Sequence, residues 1–271
     1  MIVDYHTHTD LCKHAEGGAE EYVQNAIALG LDEVGCSDHA PMPDNYDERH
    51  RMSLEQYYST YAPTVSELAE KYKKSIVVRR GVEVDFFPGT GGWVKKFIDE
   101  NDFDFVIGSV HFVGSRGSEK ALIGQDYKEE EVEDLHEEYF EAIKASAESG
   151  LFDIIGHCDL IKKFGRRSGK RIDEALREAL KAIRKADLCI EINTSGLRRP
   201  EREPYPSERI LAAAKELRIP LTLGSDAHKP ADVGGGFDIA VRLIEKYGNG
   251  RFCLFDKRER REVKVSALKP A

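Results

Sequence analysis

The chain has 271 residues, of which 41% are hydrophobic and 33% charged, and a formal charge of −9. That length permits one large core, so a single domain over residues 1–271 is the expectation. The acidic balance disfavours broad binding to nucleic acid, whose phosphates attract clustered Lys and Arg, and no apolar run approaches the ~20 residues that span a bilayer. Five scattered cysteines without a C-x-x-C pair argue against both a disulfide framework and a thiolate zinc site. The chain opens on a strand-like MIVDYH, with no basic stretch followed by an apolar one, so the expected location is the cytoplasm.

Short β-branched runs alternate with amphipathic segments, which predicts a parallel sheet covered by helices, an α/β fold. Seven strand-like runs are expected, at 1–6, 32–39, 75–84, 104–111, 152–159, 187–195 and 220–228. Helical patterns fall between and after them: AEEYVQNAIALG, a segment near 55–72, WVKKFIDEN, 128–149, DEALREALKAIRKA, PSERILAAAKEL and GFDIAVRLIEKYG. Residues 251–271 read as a final strand or tail packed on the outside.

Seven of the nine histidines, with several acids, fall at or just beyond the ends of these strands. His6 and His8 end the first, with His14 in the loop beyond; Asp38 and His39 end the second, Glu83 the third and His111 the fourth. His157 and Asp159 end the fifth, Asn193 belongs to the sixth, and Asp226 and His228 close the seventh. In barrels of alternating strands and helices that end of the sheet is where catalytic groups converge. Residues i and i+2 of a strand point to one side, so His6 with His8 can chelate one ion, as can Asp226 with His228 if the extended backbone continues that far. Any one of these histidines alone would pass for a hydrogen-bonded loop or core residue. Burying the set without metal would leave many polar groups seeking partners. His50 and His136 read as surface or packing residues.

The nine candidate ligands are His6, His8, His14, His39, Glu83, His111, His157, Asp226 and His228. At four to five ligands per ion with bridging groups they suit about three divalent ions of Zn, Fe or Mn, with two as the conservative alternative. Only two of the nine, Glu83 and Asp226, are acidic, so a loaded cluster would stay strongly positive and suit a hydroxide and a phosphate ester.

The series HTH at 6–8, His14, SDH at 37–39, Glu83, SVH at 109–111, GHCD at 156–159 and SDAH at 225–228 resembles the polymerase and histidinol phosphatase (PHP) superfamily. Within it, DHAPMP, GSVHF, GHCDLIKKFG and EINTSGLRR resemble the stand-alone histidinol-phosphate phosphatases. The resemblance implies a distorted TIM-like (β/α)7 barrel, three divalent ions and hydrolysis of L-histidinol phosphate to L-histidinol and phosphate in histidine biosynthesis. By position it assigns one ion to His6, His8, Glu83 and Asp226, a second to Glu83, His111 and His157, and a third to His14, His39 and His228. Glu83 then bridges two ions, and a bridging hydroxide attacks phosphorus in line. Among the ligands, Glu83, Asp226 and His228 are the expected catalytic groups; Asp38, Asp159 or a metal-bound water is left to protonate the leaving alkoxide.

Two basic clusters, KKFGRRSGKR at 162–171 and GLRRPER at 196–202, follow strands five and six and fit capture of a small anion. Arg198, then Lys162 or Arg166, are the expected phosphate contacts; Phe112 and the loop 41–46 are candidate walls for an imidazole ring. Three competing readings are a nucleotide phosphodiesterase, an amidohydrolase and a metal-stabilised binding module. The first lacks an aromatic-interleaved basic groove. The second lacks a bridging lysine at a strand end, and neither lost ligands nor a fused region favours the third.

Overall fold

Seven of the expected runs become seven parallel strands in the computed structural model, which describes residues 1–266 apart from 88, 115–117 and 166–168. They are β1 (Val3–Asp4), β2 (Glu33–Cys36), β3 (Val77–Asp85), β4 (Phe105–Ser109), β5 (Ile154–Ile155), β6 (Cys189–Asn193) and β7 (Leu221–Gly224). They hydrogen-bond in chain order. The sheet closes on itself: Tyr5 N donates to Leu223 O at 3.1 Å, His8 N to Ala227 O at 2.8 Å and Ala227 N to His6 O at 3.3 Å. The result is a seven-stranded barrel, distorted because β1 and β5 pair regularly over only two residues each.

The helices follow the strands, as connections between parallel strands require: α1 (Ala19–Ala28), α2 (Ala62–Tyr72), α3 (Gly91–Asp99), α4 (Glu129–Glu148), α5 (Lys170–Lys185), α6 (Glu208–Leu217) and α7 (Phe237–Tyr247). Each lays an apolar stripe on the barrel; in α4 this comprises Val132, Leu135, Tyr139, Phe140 and Ile143. Phe105 and Tyr5, with ring centroids 4.8 Å apart, fill the barrel's lower half. A Cβ on Gly81 would lie 2.3 Å from the Phe105 ring and one on Gly35 2.6 Å, so these strands must pass the ring without side chains.

The C-terminal segment differs from its expected place. Residues Arg251–Asp256 (β8) and Glu259–Lys264 (β9) form an antiparallel hairpin, and β8 is buried at Phe252, Cys253, Leu254 and Phe255. The hairpin lies under the base of the barrel, where its turn meets the acids that precede the strands. Lys257 N donates to Asp104 Oδ1 at 3.2 Å. Arg258 Nε pairs with Asp153 Oδ2 at 2.9 Å, and Arg260 Nη2 with Asp187 Oδ1 at 2.9 Å. The base is thus sealed, and the opposite rim carries the chemistry. No helix among the described residues is long and apolar enough to cross a membrane.

Candidate metal centre

Past the C-terminal end of β1 the chain stays extended just long enough to aim side chains inward, whereas beyond β7 Asp226 takes a left-handed φ of 52°, so Asp226 and His228 do not form the extended i, i+2 pair that the sequence allowed. Thr7 bridges in parallel to Ala227 and His39 to Glu83, so His6 and His8 share one side of their strand, the i, i+2 geometry. His14 arrives differently. Thr9 caps a single helical turn, Asp10–Cys12, and Lys13 takes a left-handed φ of 66° that folds the chain back. His14 Nδ1 then lies 2.8 Å from Cys12 O, leaving Nε2 toward the site. Asp38 steadies that loop, its oxygens accepting from Thr9 N at 2.7 Å and Thr9 Oγ1 at 2.8 Å.

The structure brings all nine candidate ligands together around Glu83, which is 1% exposed. Its Oε2 lies 3.4 Å from His6 Nε2, 3.4 Å from His8 Nε2 and 2.9 Å from His39 Nδ1. Its Oε1 lies 3.0 Å from His157 Nε2 and 3.8 Å from His111 Nε2. One carboxylate thus addresses two groups of imidazoles through different oxygens. Asp226 Oδ1 sits 3.3 Å from His8 Nε2 and 3.8 Å from His6 Nε2. His14 Nε2 and His228 Nε2 are 3.1 Å apart. His39 lies between the first and third groups: its ring is 5.3 Å from His14, and it also gathers with His8 and His228.

The donor atoms fit metal ions. His6 Nε2, both nitrogens of His8, His39 Nδ1, Glu83 Oε2 and His157 Nδ1 are buried with no hydrogen-bond partner. A buried polar group left so costs roughly 1–3 kcal/mol. Of these, His6 Nε2, His8 Nε2 and His39 Nδ1 face Glu83 Oε2, a pattern that cations resolve, and neutral imidazole with carboxylate is the donor set of divalent zinc, iron or manganese.

Behind the ligands stands a layer of acids. His6 Nδ1 is 2.8 Å from Glu191 Oε2 and His111 Nδ1 is 2.8 Å from Asp85 Oδ1. Arg51 Nη2 holds the other oxygen of Asp85 at 2.9 Å. Sequence reading passed over these three. Asp85 could have been found as the i+2 neighbour of Glu83, and Glu191 as the i−2 neighbour of Asn193; Arg51 carried no signal in its polar run.

Burial and charge set the protonation of the metal-free centre. Burial disfavours ionised Glu83, but the charges of His39, His6 and His111 hold it well below the ordinary carboxylate range; Asp226 behaves likewise beside His6, His8 and His228. Burial, His39 and His228 lower His14 to about 4. Burial works against a charged His111 too, yet Asp85 and Glu83 outweigh it and push the ring up to about 9. His111 therefore carries a proton below about 9 that an incoming ion must displace. Against its burial, His6 is held charged as well, by Glu191, Glu83 and Asp226, so zinc titration of the metal-free protein at neutral pH is expected to release protons, and the apparent affinity to rise with pH as both rings lose theirs. Calorimetry in buffers of different ionisation enthalpy measures this; zinc binding with no proton release would contradict it.

The other candidates are placed as follows. Arg198, at the end of a helical turn (Ser195–Arg198), donates from Nη2 to Ser225 O at 2.8 Å and Asp226 O at 3.2 Å, beside a metal-ligand candidate. Phe112 packs with Tyr46 and Phe87 at ring distances of 5.6 and 6.1 Å, an aromatic group next to His111. Lys162 turns elsewhere: it is 6% exposed and reaches Asp159 Oδ2 at 3.2 Å, Pro204 O at 2.5 Å and Glu203 Oε2 at 3.3 Å. Asp159 also accepts from Ser207 N at 2.9 Å. Asp159 and Lys162 thus clasp two loops to each other, because the chain enters a helical turn (Leu160–Phe164) directly after Asp159 and swings away from the rim. Asp38 is likewise engaged with Thr9. Arg166 lies outside the described residues.

Residues 4–195 match the PHP domain family and residues 204–239 the PHP-associated family. A protein of Deinococcus radiodurans named "Probable histidinol-phosphatase" is 40% identical, the match covering 95% of this chain and 98% of that protein. The histidinol-phosphatase of Bacillus subtilis is 28% identical over 87% of this chain and 96% of its own length. The crystal structure of the Lactococcus lactis histidinol phosphate phosphatase, complexed with zinc, L-histidinol and phosphate, superposes with a TM-score of 0.76 at 24% identity, covering 96% of this chain and 98% of that one. This chain belongs to the PHP domain family, within its histidinol-phosphatase group.

Proposed function

We propose that the chain is a metal-dependent phosphomonoesterase that hydrolyses L-histidinol phosphate to L-histidinol and phosphate, acting in the cytoplasm. The observation that carries this reading is the convergence of nine ligand side chains with unpartnered buried donor atoms on Glu83, in a chain 40% identical to a named histidinol-phosphatase. The whole chain acts as one domain, since the PHP-associated segment supplies Asp226 and His228 to the centre begun by His6 and His8.

Three ions are proposed, of zinc, iron or manganese: one at His6, His8, Glu83 and Asp226, one at Glu83, His111 and His157, and one at His14 and His228 with His39 beside them. When bound, they supply a bridging hydroxide at neutral pH and offset the charge of the phosphoryl oxygens. The chain's own residues do the rest. Glu83 separates the two groups of imidazoles and holds each to one oxygen. Arg198 adds a positive charge beside Asp226, tethered by Nη2 to two backbone carbonyls and with Nε 3.5 Å from Asp232 Oδ2, which leaves Nη1 to meet a phosphate. Phe112 and Tyr46, backed by the buried Phe87, offer ring faces and edges at the rim, a flat wall suited to an imidazole.

Replacing Arg198 with alanine is expected to raise KM for the phosphomonoester about 10-fold or more, as loss of a charge-assisted contact worth ~1.5–3 kcal/mol would. An unchanged KM would remove Arg198 from the phosphate site. The function itself is tested by measuring phosphate release from histidinol phosphate beside nucleotide and sugar phosphates. A clear preference for histidinol phosphate is expected; faster hydrolysis of a nucleotide or another small ester would replace this reading.

A further inference from the structure

We propose that Glu191 is a positioning residue that sets which nitrogen of His6 faces the metal centre and, with its second oxygen, anchors His157. The inference rests on the reading of the cluster as metal-binding. Glu191 sits in the middle of β6 and is 1% exposed. Its Oε2 lies 2.8 Å from His6 Nδ1, while its Oε1 accepts from His157 N at 2.7 Å and Asn193 Nδ2 at 2.9 Å. The seat is narrow: a Cβ on Gly224 would lie 2.7 Å from Glu191 Oε2 and 2.6 Å from His6 Cβ. Position 224 must stay bare for the acid and the imidazole to meet.

An ionised carboxylate has only acceptors to offer, so His6 donates from Nδ1, and Nε2 is the nitrogen left to give its lone pair to an ion that displaces its proton. That nitrogen, with no hydrogen-bond partner of its own, faces Glu83 at 3.4 Å and Asp226 at 3.8 Å. The network continues from Asn193 Nδ2 to Asp226 Oδ2 at 3.2 Å and from Ser195 Oγ to the same oxygen at 3.1 Å. One acid therefore organises three ligands, His6 and Asp226 at one proposed ion and His157 at another.

Glutamine at 191 keeps the shape and exposes the logic. Its amide oxygen must take the Oε1 position, because two N–H groups point there, and its NH2 then faces His6 Nδ1. His6 has to answer with a lone pair on Nδ1 and carry its proton on Nε2, toward the ion. The Glu191→Gln variant is expected to fold and to bind the His6 ion about 10–100-fold more weakly, the usual range for loss of such a partner. The His14–His228 ion should keep its affinity, and kcat should recover at saturating zinc. Zinc affinities by chelator competition and bound-metal counts read this out independently of turnover. In a His6→Ala background the Gln substitution should cause no further loss. Should the Gln variant not fold, Glu191→Asp, one methylene short of His6, should weaken the same ion. Wild-type affinity at every ion in the folded variant would overturn the proposal and leave the hydrolase reading intact. A wild-type chain that bound no divalent ion would overturn both.

Discussion

Replacing Glu83 with glutamine is expected to lower kcat/KM by about 10³-fold or more and to strip the centre of at least one ion. The reason is geometric. Glu83 offers one oxygen to His6, His8 and His39 and the other to His157 and His111, and glutamine can offer an oxygen to only one of those groups. Its NH2 would point a proton at the other group and clash with any cation there. Metal-assisted stabilisation of a phosphoryl transition state is worth several kcal/mol, and each ~1.4 kcal/mol is a factor of ten in rate. Metal analysis with steady-state kinetics checks the result. A variant that kept its full metal complement and activity would rule out the bridging role.

Removing the ions with a chelator is expected to abolish turnover and to lower the melting temperature by roughly 10 °C, both reversed by adding back zinc or manganese. Without metal, His6 and His111 are held charged by their acids, while burial, His228 and His39 keep His8 neutral. His6 and His111 then share one buried carboxylate, and buried polar atoms around it are left without partners. A ligand present at about a thousandfold over its Kd stabilises a fold by ~4 kcal/mol. At roughly 2–4 °C per kcal/mol for a chain approaching this size, that yields the expected shift. Unchanged melting and unchanged activity after chelation would contradict a metal centre at this rim.

Much of the architecture was legible because it is written in periodicity. Runs such as IVVRRGVEV and DFVIGSVH alternate with stripes such as that of α4, and the barrel follows from parallel strands that are each covered by a helix. The ligands were legible because they gather at strand ends, where the i, i+2 pair His6 and His8 must point together; the second such pair, Asp226 and His228, is split by the left-handed backbone of Asp226. The terminal hairpin was harder to place, because its first strand is apolar enough for a barrel strand and what directs it to the base is a backbone hydrogen bond to Asp104 and ion pairs to Asp153 and Asp187. Asp159 and Lys162 show the limit of strand-end reasoning: position along a strand tells nothing about where the next turn sends the chain. Glu191 and Asp85 were missed because an acid inside an inward-facing strand reads as a defect until the imidazole it serves is known. Arg51 contacts Asp85 from a loop that no period marks, and the pairing exists only in three dimensions.

Anomalous diffraction from crystals soaked in zinc or manganese, recorded on both sides of the metal's absorption edge, tests the central claim most directly. The account predicts peaks on both sides of the Glu83 carboxylate, one beside His6, His8 and Asp226 and one beside His111 and His157, with a third at His14 and His228. Absence of any peak adjacent to Glu83 in fully soaked crystals would contradict it.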